Sequence, residues 1–148
     1  MKIGIANDHR GVELKDYLLE KLQEYEVVNL GTDTNESVDY PDFAFLLGEK
    51  VANHELDYGI AICGSGIGIS IACNKVKGIR CAKVSNIDEA RYTRIDNDAN
   101  IVALSANTNQ EDALKIVETF LNTDFSHEER HQKRIDKITK YERGEYER

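Results

Sequence analysis

Short apolar runs alternate along this chain with longer stretches in which apolar residues recur every three to four positions. Lys2 to Ala6 is a brief apolar run that predicts a strand. Val12 to Tyr25 carries Val12, Leu14, Leu18, Leu19 and Leu22 as a helical stripe. Val27 to Leu30 predicts a second strand, ended by Gly31, and Thr32 to Tyr40 is polar and turn-like. Pro41, the single proline, suits the first turn of a helix reaching about Asn53. Tyr58 to Ile62 predicts a third strand, with a glycine turn and a helix to about Asn74 behind it. Arg80 to Val84 and Ile101 to Leu104 predict the fourth and fifth strands, with a helix over Ile87 to Ile95 between them. Gln110 to Leu121 is a further helix with Ala113, Leu114, Ile116, Val117 and Leu121 facing inward. From His127 the chain turns to charge, and Ile135, Ile138 and Tyr141 lie along one side of a last helix. That stripe is too narrow to build a core, so the last helix is expected to lie across a neighbouring subunit.

Strands alternating with helices predict a parallel sheet covered on both faces, in one α/β domain spanning residues 1–148. No internal repeat, low-complexity stretch or linker interrupts the pattern. In such sheets ligands bind outside the carboxyl ends of the strands. Asn7, Asp8 and His9 then follow strand one, Cys63 to Gly68 follow strand three, and Ser85 and Asn86 follow strand four, all on one edge.

Composition narrows the partners. Hydrophobic residues make up 41% and charged residues 31% of the 148, as in an ordinary globular protein. The net charge of −8 disfavours nucleic acid, whose phosphates need a basic face. No apolar run approaches a membrane span. The first residues, Met1-Lys2-Ile3-Gly4-Ile5, enter a strand at once without a signal-peptide layout. Cys63, Cys73 and Cys81 are odd in number and form no Cys-x-x-Cys pair, which argues against a disulfide framework and for a reducing cytoplasm.

The densest chemistry lies in Asp57-Tyr-Gly-Ile-Ala-Ile-Cys-Gly-Ser-Gly-Ile-Gly68. An apolar strand ends on Cys63, and Gly64, Gly66 and Gly68 let the backbone turn tightly with amides free to face a ligand. A thiol beside such amides is a candidate nucleophile or base. A buried structural thiol remains the other reading of Cys63 at this point. Ile69 stands where a P-loop needs lysine, and the glycine spacing is not that of the dinucleotide fingerprint.

Several separate segments together resemble one family, the type B ribose-5-phosphate isomerases and the related galactose-6-phosphate isomerase subunits. They are Asn7-Asp8-His9, Asn35-Glu36-Ser37-Val38-Asp39-Tyr40-Pro41-Asp42, Ile62 to Ser70, Ala72 to Arg80, Asn97-Asp98-Ala99-Asn100, and Arg130-His131-Gln132-Lys133-Arg134-Ile135. The match runs in order over nearly the whole chain. It implies a Rossmann-like three-layer α/β/α domain, a homodimer or tetramer, and aldose–ketose isomerisation in the pentose phosphate pathway without metal or cofactor.

The resemblance implies roles by position. Cys63 is the proton-moving base, and the Gly64, Ser65, Gly66, Ile67 and Gly68 turn with the Ser65 hydroxyl stabilises an enediolate. Asp8 contacts sugar hydroxyls, and His9 the phosphate end or a hydroxyl. Asn97 lies in the substrate-binding segment, and Arg130 and Arg134 clamp phosphate. Two positions depart from the family: Asp96 stands where a ring-opening histidine is common, and Ser105-Ala106-Asn107 replaces Gly-Glu-Arg, so an arginine is missing. Both are expected on a segment that reaches the partner's site, with Asp96 then placed among the catalytic groups. These departures keep open a hexose 6-phosphate substrate, of the galactose or allose type, and a hetero-oligomer with a paralogous chain. A non-catalytic sugar-phosphate binding protein is the remaining alternative.

Overall fold

The structure is a computed structural model and describes residues 1–148. Its strands are β1 (Lys2–Asn7), β2 (Glu26–Asn29), β3 (Tyr58–Cys63), β4 (Cys81–Lys83) and β5 (Ile101–Ser105). They form one sheet in the order β2-β1-β3-β5-β4, parallel at every pairing. The helices are α1 (Val12–Lys21), α2 (Tyr40–Ala52), α3 (Ile67–Cys73), α4 (Ile87–Asn97), α5 (Gln110–Leu121) and α6 (Glu129–Glu142). A short 3-10 turn, His9–Gly11, joins β1 to α1.

Alternation along the strands divides the core in two. Ile3, Ile5, Ile60, Ile62, Val102 and Leu104 face one way and pack under Leu14 and Leu18 of α1, Leu22 just beyond its end, Ala90 of α4, and Ile116, Val117 and Phe120 of α5. The other face is built of smaller residues, Ala6, Ala61 and Ala103, under Leu47 and Val51 of α2 and Ile69 and Cys73 of α3. Small residues let α2 approach closely: a Cβ at Gly4 would stand 2.7 Å from a Leu47 methyl. The three layers follow from this arithmetic, because strands buried on both faces need apolar cover on both. Burial of each large aliphatic or aromatic side chain contributes about 1.5–3 kcal/mol.

The boundaries differ from the sequence expectation where polar side chains take over the backbone. The β4 ladder begins at Cys81 rather than Arg80, because the Arg80 amide donates to Asn100 Oδ1 at 2.9 Å. The Asn74 side chain takes up both the amide and the carbonyl of Cys81, at 2.8 and 2.9 Å. The α1 stripe was expected to reach Tyr25, yet the helix ends at Lys21 and a turn leads into the edge strand β2. At the other end, α6 rests on α4 of its own chain through His131 and Ile135, leaving Ile138 and Tyr141 exposed at 50% and 70%.

A buried polar strut fixes the connection after β2. Lys15 of α1 is fully buried and its ammonium donates to the Thr32 carbonyl and to Asp33 Oδ1, each at 2.5 Å. The buried Asn7 amide donates to the carbonyls of Asp8 and Thr32 at 2.9 and 3.0 Å. Gly31 passes so near that a Cβ there would lie 1.8 Å from Asn7 Oδ1 and 2.7 Å from the Asn7 backbone nitrogen.

Gly31→Ala therefore cannot be accommodated without moving Asn7, and we expect it to lower the unfolding free energy by about 1–3 kcal/mol, the scale of overpacking. Urea denaturation measures this, and an unchanged midpoint would remove Gly31 as a constraint. The strut also carries a pH dependence. The hydrogen bond from Lys15, then that from Asn29, holds the Asp33 carboxyl below the usual aspartate range. A depressed folded-state value means stabilisation that is present above the unfolded-state value and lost as pH falls through the folded one. Asp33→Asn should flatten the acid limb of a stability–pH curve, and identical limbs would show that the pair contributes nothing.

Candidate active site

The strand order reverses direction between β1 and β3, since β2 lies outside β1 while β3 lies on its other flank. At such a reversal the two connections leave in opposite directions and open a crevice at the carboxyl edge. The Asp8 amide still donates to the Ile62 carbonyl at 3.2 Å, and beyond that bond the two chains part. Asp8 and Cys63 thus emerge side by side.

Asp8 is nearly buried and caps the 3-10 turn, its Oδ1 accepting from the Arg10 amide at 2.9 Å. His9 is half-buried, and its Nδ1 accepts the Val38 amide at 3.1 Å. Because Nδ1 is an acceptor, the neutral ring carries its proton on Nε2, which stays available as a donor. The same bond ties the polar 32–39 segment over the crevice and delivers Tyr40 to the start of α2. The Tyr40 ring lies against the glycine turn: a Cβ at Gly68 would stand 2.6 Å from Tyr40 Cζ and 2.9 Å from its hydroxyl.

The turn itself is held by β5. The Ala106 amide donates to the Cys63 carbonyl at 2.9 Å, and the Ser105 hydroxyl donates to the Gly64 carbonyl at 2.7 Å. Gly66 adopts a left-handed φ of 77°, and a Cβ there would strike the Leu104 carbonyl carbon at 2.8 Å. Ser65 Oγ accepts the Ile67 amide at 3.1 Å, whereas the amides of Ser65, Gly66 and Gly68 find no acceptor within the chain. Free amides of this kind can donate to an oxyanion. Cys63 is 4% exposed, on the α2–α3 side of the sheet and below this turn.

The other two thiols lie away from this turn, at the end of α3 and the start of β4. Cys73 is fully buried in α3, its Sγ 3.8 Å from the Ala44 carbonyl. The hydrogen bond with Cys73, followed by burial, pushes the Cys81 thiol well above its usual range, which keeps it protonated.

The remaining residues named from the sequence lie elsewhere. Asp96 and Asn97 end α4, at the amino edge of the sheet, where the Arg80 guanidinium donates to the Asn97 carbonyl at 2.9 Å. Asp96 Oδ1 lies 3.3 Å from His131 Nε2 at the start of α6. The far end of α6 returns to the same edge, where Glu142 accepts the Gly78 amide at 3.2 Å. Arg130 and Arg134, on this helix, belong to that edge too. Arg130 is paired with Glu128 at 2.8 Å, which raises the arginine and holds the Glu128 carboxyl below the usual range. The two edges are separated by the length of a strand, roughly 15 Å for five residues. Within one chain, Asp96, Asn97, Arg130 and Arg134 therefore do not meet Cys63. Asn107, grouped with Asp96 in the sequence reading, is instead found beside Gly64 and Ser65, lining a cavity of about 900 Å³ at the carboxyl edge.

Tyr40 and Arg10, which also border the turn, were not singled out from sequence. Tyr40 stands in the Asp39-Tyr40-Pro41 stretch just before a helix, and its proline marked the place without marking the ring. Arg10 adjoins His9 but sits on no periodic pattern.

Comparison with known proteins finds relatives along nearly the whole chain. The family model described as Ribose/Galactose Isomerase matches residues 3–138. Ribose-5-phosphate isomerase B of Escherichia coli is 40% identical over 144 residues, covering 95% of this chain and 96% of that protein. The structure of ribose-5-phosphate isomerase B from Clostridium thermocellum superposes with a TM-score of 0.94 at 48% identity, over 97% of this chain and 99% of that one. The Mycoplasma genitalium ribose-5-phosphate isomerase B, solved with bound ribulose-5-phosphate, superposes at 0.90 with 43% identity, covering 96% of each chain.

Gly66→Ala tests whether the turn is as tightly held as its contacts indicate. A side chain there is strained by the left-handed φ and meets main chain rather than a flexible group, so the variant is expected to lose about 1–3 kcal/mol of stability. A thermal melt superimposable on the parent would show that the turn has room to shift.

Proposed function

The chain belongs to the ribose/galactose isomerase family, and we propose that it interconverts ribose 5-phosphate and ribulose 5-phosphate through an enediolate with Cys63 as the base. The observation that carries this reading is the position of Cys63 directly beneath a turn whose Ser65, Gly66 and Gly68 amides have no acceptor in the chain. Starting from the aldose, the Cys63 thiolate removes the proton at C2 of the open-chain sugar. The electron pair moves into a C1–C2 double bond, and the carbonyl oxygen becomes an oxyanion. Returning the proton to C1, with the O2 proton passing to the oxygen at C1, yields the ketose. The free amides and the Ser65 hydroxyl stabilise the negative oxygen, and such donors contribute most in a site closed to water. Asp8 and the Nε2–H of His9 orient sugar hydroxyls.

Asp96, Asn97, Arg130 and Arg134 enter this scheme through a second copy. In a twofold pair, the amino edge of each chain faces the carboxyl edge of the other, so one operation completes both sites. Asp96 of the partner subunit then exchanges the proton that opens the sugar ring, and Arg130 and Arg134 approach the phosphate. Exposed apolar side chains beside the turn support a dimer: Ile67 and Ile71 of α3 are 55% and 56% exposed, and Phe45 and Leu46 of α2 each 40%. Three free thiols suit a reducing cytoplasm.

Cys63→Ala should lower kcat on ribose 5-phosphate by about 10²–10⁴-fold, the usual contribution of a positioned base. The circular dichroism melt should stay close to that of the parent. The same purified chain should prefer ribose 5-phosphate over allose and galactose 6-phosphates. Undiminished turnover in the variant would remove Cys63 from the mechanism, and preference for a hexose would move the substrate assignment.

A further inference from the structure

The cavity of about 900 Å³ beside the glycine turn holds two cations that the scheme above leaves unused. Arg10 enters it from the turn after β1, and Lys83, the last residue of β4, enters from the far side of β5. Ser65, Asn107 and Thr108 supply polar groups between them. The Arg10 side chain lies over the backbone that follows Cys63: a Cβ at Gly64 would stand 3.5 Å from Arg10 Cδ and 3.6 Å from its Nε. The Arg10 stem thus occupies the space that a side chain at the residue next to the proposed base would touch.

Neither cation is neutralised. Arg80, Arg91, Arg94 and Arg130 each pair with a carboxylate, but no carboxylate oxygen comes within 4.0 Å of the Arg10 guanidinium or the Lys83 ammonium. The one partner of Lys83 Nζ is the Ser85 hydroxyl, at 3.0 Å. Glu13 is the only acid lining the cavity, and it pairs with neither. On a chain with net charge −8, two uncompensated cations in one recess require a reason. Asn107, in the same recess, brings no charge.

We propose that Arg10, assisted by Lys83, anchors the phosphate of the sugar phosphate whose C1 and C2 lie at Cys63. The inference rests on the isomerase reading and deepens it by naming a phosphate subsite made in cis. A guanidinium offers two parallel N–H donors to phosphate oxygens, and the lysine adds a point charge. The subsite lies at the carboxyl edge of the same chain, so phosphate is gripped before any residue of the amino edge takes part.

Steady-state kinetics on ribose 5-phosphate and calorimetric titration with inorganic phosphate test this, using the full chain and the variants Arg10→Gln, Arg10→Lys and Lys83→Gln. Arg10→Gln should raise KM roughly ten- to a hundredfold, the scale of a lost charge-assisted hydrogen bond. It should raise KM by more than it lowers kcat and weaken phosphate binding by a similar factor. Arg10→Lys should recover part of both losses, and Lys83→Gln should show a smaller effect of the same kind. Unchanged KM and unchanged phosphate affinity in Arg10→Gln would overturn the subsite. A parent chain that binds phosphate through Arg10 but does not isomerise ribose 5-phosphate would overturn the isomerase reading and leave the subsite standing.

Discussion

The close approach between the turn after β3 and the end of β5 is the constraint on which the site depends. Main chain meets main chain at Gly66 and Leu104, and the Ala106 amide and Ser105 hydroxyl are spent on the carbonyls of Cys63 and Gly64. Because those carbonyls are satisfied from β5, the turn is free to point its own amides outward. A looser turn would close on itself and consume the donors that an oxyanion needs. The same contact brings Ser105 to Asn109 alongside Gly64 and so forms one wall of the cavity.

A second consequence comes from the sheet. The central strands β1, β3 and β5 are buried on both faces, so polar side chains can emerge only at their ends. One end gathers Asp8, His9, Arg10, Cys63 and the glycine turn. The other gathers Asp96, Asn97, His131 and the Arg80–Asp98 pair, tied into a network that includes the buried Arg94 against Tyr58 and Phe120. A strand length of apolar core separates the two sets. Chemistry that uses both must therefore be intermolecular, and a twofold axis is the simplest arrangement that supplies both ends to both sites.

The loop between β2 and α2 shows how structural and functional polar groups are divided. Asn29, Asp33 and Lys15 hold the loop where it leaves the sheet, and Asn7 fastens its Thr32 carbonyl from below. His9 then bonds Val38 from the side of the crevice. The loop is thereby tied at both ends, which sets Tyr40 against Gly68. The strongly bonded residues are supports, and the side chains left with spare donors line the crevice.

Much of this was legible in the amino-acid sequence. Apolar spacing located every strand and helix, and the parallel alternation gave the three layers, because burial on two faces leaves a continuous apolar run that polar residues cannot interrupt. The glycine turn that follows Cys63 was legible for a related reason, since only glycine tolerates so close a backbone contact. Short polar contacts between distant segments were not legible: Asn74 with Cys81, Asn100 with Arg80, and Lys15 with Thr32 each moved or fixed a boundary without any local signal. Nor could spacing show that Asp96 and Asn107, eleven residues apart, lie at opposite edges, because that depends on which end of β5 each one flanks. The cationic recess of Arg10 and Lys83 was hidden in the same way, its members being 73 positions apart. Local pattern determines which segments are buried and how they are bent; which side chains share a cavity is decided only when non-adjacent strands pair in the order β2-β1-β3-β5-β4.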